Sequence, residues 1–409
     1  MKTRIPLLAL LLTAALLMVA ACQPADMAED MQAPAPQAEV TLTFSTRAGA
    51  VIPAYDPSPE YTVATLRVYV VDAAGAAHHY YIENSDEAQR EFTVEVGKLP
   101  AGTTRFYVIA NEGAAGELRL NNGATVSLGP DTDPATLADI TFSHLPQATL
   151  TSGDASAKDE TGKAYRGAVL PMTGTLTRSL SGKQDVGIEL TRCVAKLYLH
   201  FAMIGDEGDE VYMGRGLYLY NQPQYAHLFP RTTYAGPFDH LEDENVVGPD
   251  SKLFQMNGRV ILSAAWPDGP AYSDQDPANL PMLQTQHINR ITNKYQDKTD
   301  LTHDDRCQML PARPIYLLPN PNTIPGGSVH ANPRESDVRG YYLKLLPHEH
   351  EKEGSNDMHE GDQFYVSLPA VQANDIVDVH SAINVNWHHF QVKWIIDPWT
   401  AAGGDVEFN

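Results

Sequence analysis

The sequence predicts an all-β protein. Three observations predict it. Short runs of alternating apolar and polar residues recur along most of the chain, separated by Gly, Pro, Asn and Asp turns, which is the pattern of β-sandwiches. Long stretches with helical apolar spacing are scarce. The 409 residues allow two or three domains, and strand-like runs stand on both sides of a transition near residues 185–194.

The chain opens with MKTRIPLLALLLTAALLMVAAC. Lys2 and Arg4 form a positive start, Ile5 to Val19 is almost unbroken apolar sequence, and Ala20 and Ala21 are small residues at a cleavage position. This is the layout of a secretory signal, not of a membrane span. Val19-Ala20-Ala21-Cys22 also has the form of a lipobox, so Cys22 is the expected lipidated N-terminus of the exported chain. Acyl chains contribute roughly 0.8 kcal/mol per buried CH₂, and several together hold a protein on a membrane. The following QPADMAEDMQAPAPQA is rich in Ala, Pro, Gln and Asp and reads as a tether.

The first strand candidate is VTLTFST, 40–46. Val40, Leu42 and Phe44 fall on one face, with Thr41, Thr43 and Ser45 on the other. Arg47 and Ala48 follow at once, in a polar run that a protease could reach. On residue pattern alone, Arg47 reads as a plain loop arginine after a permanent first strand.

Further strands are expected at 62–72, 90–97, 104–111, 138–145, 196–203, 258–266, 313–320, 341–347, 363–369 and 387–396. Two long stretches, 221–257 and 268–306, are read as loops; loops of that length usually carry function or move. Their aromatic residues, among them Tyr225, Tyr234, Trp266 and Tyr272, could build a sugar- or protein-binding surface or simply pack the loops.

Net charge is −22, from 29 Lys and Arg against 51 Asp and Glu. That excludes the basic face of a nucleic-acid binder and suits a self-repelling surface protein. No phosphate loop, nucleophile elbow or His-Glu-x-x-His is present, so no catalytic residues, metal ligands or cofactor are assigned. HEHEKE, 348–353, is read as a solvated loop, and DEGDE, 206–210, as a turn. His78-His79 and His388-His389 are strand neighbours that point to opposite faces. Of the three cysteines, Cys193 shares an alternating face with Ala195, Leu197, Leu199 and Phe201 and reads as a small buried hydrophobe; a disulfide to Cys307 stays open.

Several pieces, in order, resemble the fimbrillins, the type V pilins of Bacteroidales. They are TLRVYVVDAAG near the mature start, KLPAGTTRFYVIANEG at 98–113, LPMTGTLT at 170–177 with IELTRCVAKLYLHF at 188–201, and the region from YYLKLLP through WHHFQVKWIIDPW at 341–399. The lipobox and the arginine after the first strand add to the likeness. The resemblance implies two transthyretin-like Greek-key β-sandwich domains, 48–190 and 191–409, preceded by the signal, 1–22, and by a tether with a removable strand, 23–47. It implies export as a lipoprotein to the outer membrane and cleavage at Arg47-Ala48 by an arginine-specific protease. The vacated groove then takes a strand from a neighbouring subunit, giving a surface-exposed fimbrium that supports cell adhesion.

The donor is expected in the tail, where Phe390, Val392, Trp394 and Ile396 share one face; an ordinary hairpin completing the subunit's own sheet is the alternative, and DVEFN, 405–409, is a second tail strand. The partners implied are other pilus subunits, the protease, the outer membrane through lipid, and a host or bacterial surface receptor. A lipid-retaining anchor, a tip adhesin or a glycan-binding surface lipoprotein is the alternative function.

Overall fold

The computed structural model describes residues 36–46, 56–84, 91–120, 123–151, 164–204, 210–220, 222–223, 225–230, 254–255, 259–262, 290–291, 308–309, 314–320, 340–350, 364–384 and 389–398. Within these residues it is nearly all strand, with only 3-10 turns as helix, and no helix is long and apolar enough to cross a membrane.

The strands of the first half are β1 (Gln37–Thr46), β2 (Thr65–Val71), β3 (Ala77–Glu83), β4 (Glu91–Pro100), β5 (Gly102–Ala110), β6 (Leu118–Leu120), β7 (Thr125–Val126), β8 (Ile140–Phe142), β9 (Thr149–Thr151), β10 (Ala164–Arg166), β11 (Met172–Leu180) and β12 (Gly182–Arg192). Seven of them form one sheet, β3-β2-β5-β11-β12-β1-β4, folded so that β4-β1-β12 packs as one layer against β3-β2-β5-β11 around a shared core. The layers meet where β11 touches β12 through only two register pairs, Met172 with Arg192 and Thr173 with Thr191. Period-2 alternation turns Leu66, Val68 and Val70 of β2 and Phe106, Val108 and Ala110 of β5 toward Val40, Leu42, Phe44, Val186 and Ile188 in one apolar core.

The outer side of β2 and β5 is covered too. Tyr69 and Ile109 pack there with Leu118, Leu137, Ile140 and Phe142, beneath a small sheet ordered β16-β8-β6-β7, where β16 is Ala226–His227.

From β12 the chain passes through Cys193 and Val194, both fully buried, into β13 (Ala195–Ile204). The remaining strands are β14 (Glu210–Tyr220), β15 (Gln222–Pro223), β16 as above, β17 (Phe254–Gln255), β18 (Arg259–Leu262), β19 (Arg290–Ile291), β20 (Gln308–Met309), β21 (Ile315–Leu317), β22 (Tyr342–His350), β23 (Phe364–Ser367), β24 (Asp375–Asn384) and β25 (His389–Pro398). One sheet runs β19-β13-β24-β25, with β20 and β21 also on β13; another runs β18-β14-β22-β23.

Three readings of the sequence change here. The stretch 221–257 is not a bare loop: β15 pairs with β17, and β16 crosses to β8 of the first half. The stretch 268–306 likewise contains β19, which pairs with β13. His348, Glu349 and His350 belong to β22, because pairing with β14 carries the ladder to Glu210. The remainder of HEHEKE, positions 206–209 of DEGDE, and His388 lie outside the described residues, as do Trp266, Tyr272 and Tyr234; Tyr225 is half-buried.

Candidate assembly groove

β1 lies inside its layer, with a partner on each side. It runs parallel to β12 and antiparallel to β4. Val40 stands between Gln184 and Gly97, Leu42 between Val186 and Val94, and Phe44 between Ile188 and Phe92. Neither neighbour is joined to β1 by a hairpin, because other strands stand in the chain between β1 and each of them. The pairing extends past the strand's start, where Ala101 N–H donates to the Pro36 carbonyl at 2.7 Å. Ala38, Val40, Leu42 and Phe44 are at most 1% exposed. At roughly 1.5–3 kcal/mol for each large apolar side chain, Val40, Leu42 and Phe44 together contribute on the order of a small domain's whole stability.

Immediately beyond the strand, Arg47 and Ala48 lie outside the described residues, as do Cys22 and the tether. The chain returns at Asp56, which is held independently of β1. Asp56 N–H donates to the Tyr165 carbonyl at 2.9 Å, and Gly167 N–H donates to the Asp56 carbonyl at 2.8 Å. A 3-10 turn, Ser58–Tyr61, then buries Glu60.

Glu60 anchors this segment to the second half. Lys196 Nζ donates to Glu60 Oε2 at 2.8 Å, Tyr316 Oη–H donates to Glu60 Oε1 at 2.8 Å, and Arg192 Nε donates to the Glu60 carbonyl at 3.2 Å. Ala168 N–H donates in turn to Tyr316 Oη at 2.9 Å. Burial is the main influence on the Lys196 ammonium and holds it down to about 8, against the pull of the Glu60 charge. These residues stand far apart in the chain, so the alternation pattern gave no sign of them.

The tail strand β25 lies at the edge of its sheet among the described residues, antiparallel to β24. Phe390, Val392, Trp394 and Ile396 are the register partners of Ile383, Ser381, Val379 and Val377. Val377, Val379 and Ser381 are buried. The second tail strand, 405–409, lies outside the described residues.

Cys193 is a free thiol, fully buried, with Sγ–H donating to the Leu228 carbonyl at 3.0 Å. It forms no disulfide, and burial pushes it up to about 12. Cys307 lies outside the described residues.

No family model matches this sequence, and no curated protein matches it. Among the solved structures to which this chain is similar are fimbrial proteins and proteins described as cell adhesion proteins from Porphyromonas and Parabacteroides. A fimbrillin from Porphyromonas gingivalis is 11% identical with a TM-score of 0.44, over 90% of this chain and 99% of its own. A Parabacteroides distasonis protein provisionally described as a cell adhesion protein is 13% identical with a TM-score of 0.46, over 90% of this chain and 99% of its own. The tip fimbrial protein of Porphyromonas gingivalis, truncated at its C-terminus, is 10% identical with a TM-score of 0.42, over 89% and 100%.

Proposed function

We propose that this chain is a structural, non-catalytic subunit of a cell-surface pilus. In this reading it is exported as a lipoprotein through Cys22 and reaches the outer membrane. Cleavage at Arg47-Ala48 releases β1 with the lipid and tether. A neighbour's tail strand then fills the groove, with Phe390, Val392, Trp394 and Ile396 as its apolar face. The two sandwiches of the subunit are 48–190 and 191–409.

The observation that carries the reading is the placement of β1. A terminal strand with a fully buried face is inserted between two strands to which no hairpin ties it, and an arginine follows one position after its end. Loss of such a strand exposes apolar surface and two unpaired backbone edges, which template the addition of a strand from another chain. Head-to-tail addition that does not close gives a filament. Among the described residues β25 pairs with β24 alone, so the tail can peel away by breaking that one ladder.

Terminal sequencing and intact mass of the protein taken from the cell surface test this directly. A chain starting at Ala48, together with an unpolymerised lipidated Arg47→Ala variant, is the expected result. A wild-type chain starting at acylated Cys22 would replace the stalk reading with an anchor or a stand-alone surface binder. Polymer ladders in the Arg47→Ala variant would overturn the cleavage model.

A further inference from the structure

The face of the β13–β24 pair brings together His200, Asp378 and His380. Asp378 and His380 are two apart on β24, so they share a face. His200 is the register partner of His380 on the parallel neighbour β13. Asp378 Oδ1 stands 3.0 Å from His200 Nε2 and 3.2 Å from His380 Nε2. One ligand atom from each of the three residues lies within 4.8 Å of the others.

These contacts are close, yet they do not have the alignment of hydrogen bonds. Asp378 Oδ1 is buried with no hydrogen-bond donor, and His380 Nδ1 is buried with no partner. The His380 side chain is only 9% exposed. The two imidazole rings stack, with centroids 4.5 Å apart and planes 7° from parallel. Two imidazole nitrogens and a carboxylate oxygen therefore lie close together, and a buried carboxylate oxygen without an aligned donor is costly. A cation placed among them removes that cost.

We propose that His200, Asp378 and His380 form a site for a divalent metal ion of the zinc class. Two imidazole nitrogens and one carboxylate oxygen are the ligand types that borderline ions such as Zn²⁺ take. Separations of 3.0 and 3.2 Å between ligand atoms are a little shorter than the roughly 3.3–3.5 Å edges of a tetrahedron whose ligands sit about 2.0–2.2 Å from the ion, a difference that small side-chain rotations close. The rings reach that arrangement by rotating out of their stack, so that both nitrogen lone pairs aim at one point. Asp378 and His200 are partly exposed, which leaves the remaining coordination positions to water. The ion would staple β13 to β24, and the site stands independently of the pilus reading.

Isothermal titration of the purified, chelator-treated full chain with Zn²⁺ tests this. A binding step is expected that weakens at least about tenfold in His200→Ala and in Asp378→Asn. The same step should persist in a His348→Ala/His350→Ala variant, which removes two histidines of β22. Thermal melting with and without Zn²⁺ provides the second readout: the metal should raise Tm in the wild type and leave Tm of His200→Ala unchanged. Absence of Zn²⁺ binding by the wild type would overturn the proposal whatever the variants do. So would a step that survives intact in a folded His200→Ala/His380→Ala chain.

Discussion

Lys196 donates to Glu60 at 2.8 Å in a place that neither side chain shares with water: they are 2% and 0% exposed. The pair ties the segment just beyond the proposed cut to the first strand of the second half. Removing one partner leaves the other charge buried and uncompensated, at a cost of about 3–5 kcal/mol. Lys196→Met should therefore lower the urea midpoint strongly. The Glu60→Leu/Lys196→Met double variant should lose clearly less than the two single losses added together. Additive losses would mean that the two charges do not act as a pair.

Asn111 is a second tie across the same region. It takes the left-handed conformation at φ 56°. Its side chain accepts from Ala64 N–H at 2.8 Å and donates to the carbonyls of Thr62 at 2.7 Å and Leu170 at 2.9 Å. Asn111→Ala strips four backbone groups of a partner, the Thr65 N–H included, and puts at positive φ a residue that tolerates that conformation less well than Asn. A loss of about 2–4 kcal/mol in chemical denaturation is expected, and Asn111→Gly should recover only the backbone part. Equal losses in both variants would show that φ contributes nothing.

The two faces of β1 should respond differently. Leu42 is fully buried against Val186 and Val94, so Leu42→Ala in the uncut chain should cost about 2–5 kcal/mol. Thr43, on the opposite face, should lose less than about 1 kcal/mol on change to Ala. Similar losses at both positions would argue against the one-sided burial from which the groove reading starts.

Gly174 sits in LPMTGTLT, just after the two pairs that join β11 to β12. A β-carbon there would lie 2.6 Å from the Glu189 carbonyl and 2.9 Å from Ile188 Cγ2. The layers approach too closely at this corner for any side chain. Gly174→Ala should lower stability by about 1–3 kcal/mol, read as a shift in the urea midpoint at unchanged slope. An unchanged midpoint would mean that the corner opens freely.

Alternation made the long strands legible. The runs around Leu42, Val68 and Val108 each show one apolar face and a clear end, and each forms a strand with that face buried, whereas β24, around Val379, is a strand that was not expected. Pairing was not legible, because β1 finds β12 through register and core shape, neither of which a local pattern encodes. The polar clusters were hidden for a related reason. Glu60 with Lys196, and His200 with His380, meet only when distant strands are laid side by side. The short strands β15, β16 and β19 were read as loop because two-residue pairings leave no period to detect.

Cys193 gives the last prediction. Its thiol is pushed up to about 12 by burial, with the Thr173 hydroxyl pulling weakly the other way. At pH 8 iodoacetamide should leave Cys193 unmodified in the folded chain and label it after unfolding in urea, as read by peptide mapping. The folded chain holds this proton to higher pH than the unfolded one, whose thiol titrates near 8.5–9. Stability from the thiol is therefore complete below about pH 9 and drains away as pH climbs from there toward 12. Against a Cys193→Ala variant, the wild type should lose its relative advantage over that range and keep it at pH 7. A difference that stays flat from pH 7 to 10.5, or rapid labelling of the folded chain, would mean that the thiol is not sealed between β11, β12 and Leu228 as the structure has it.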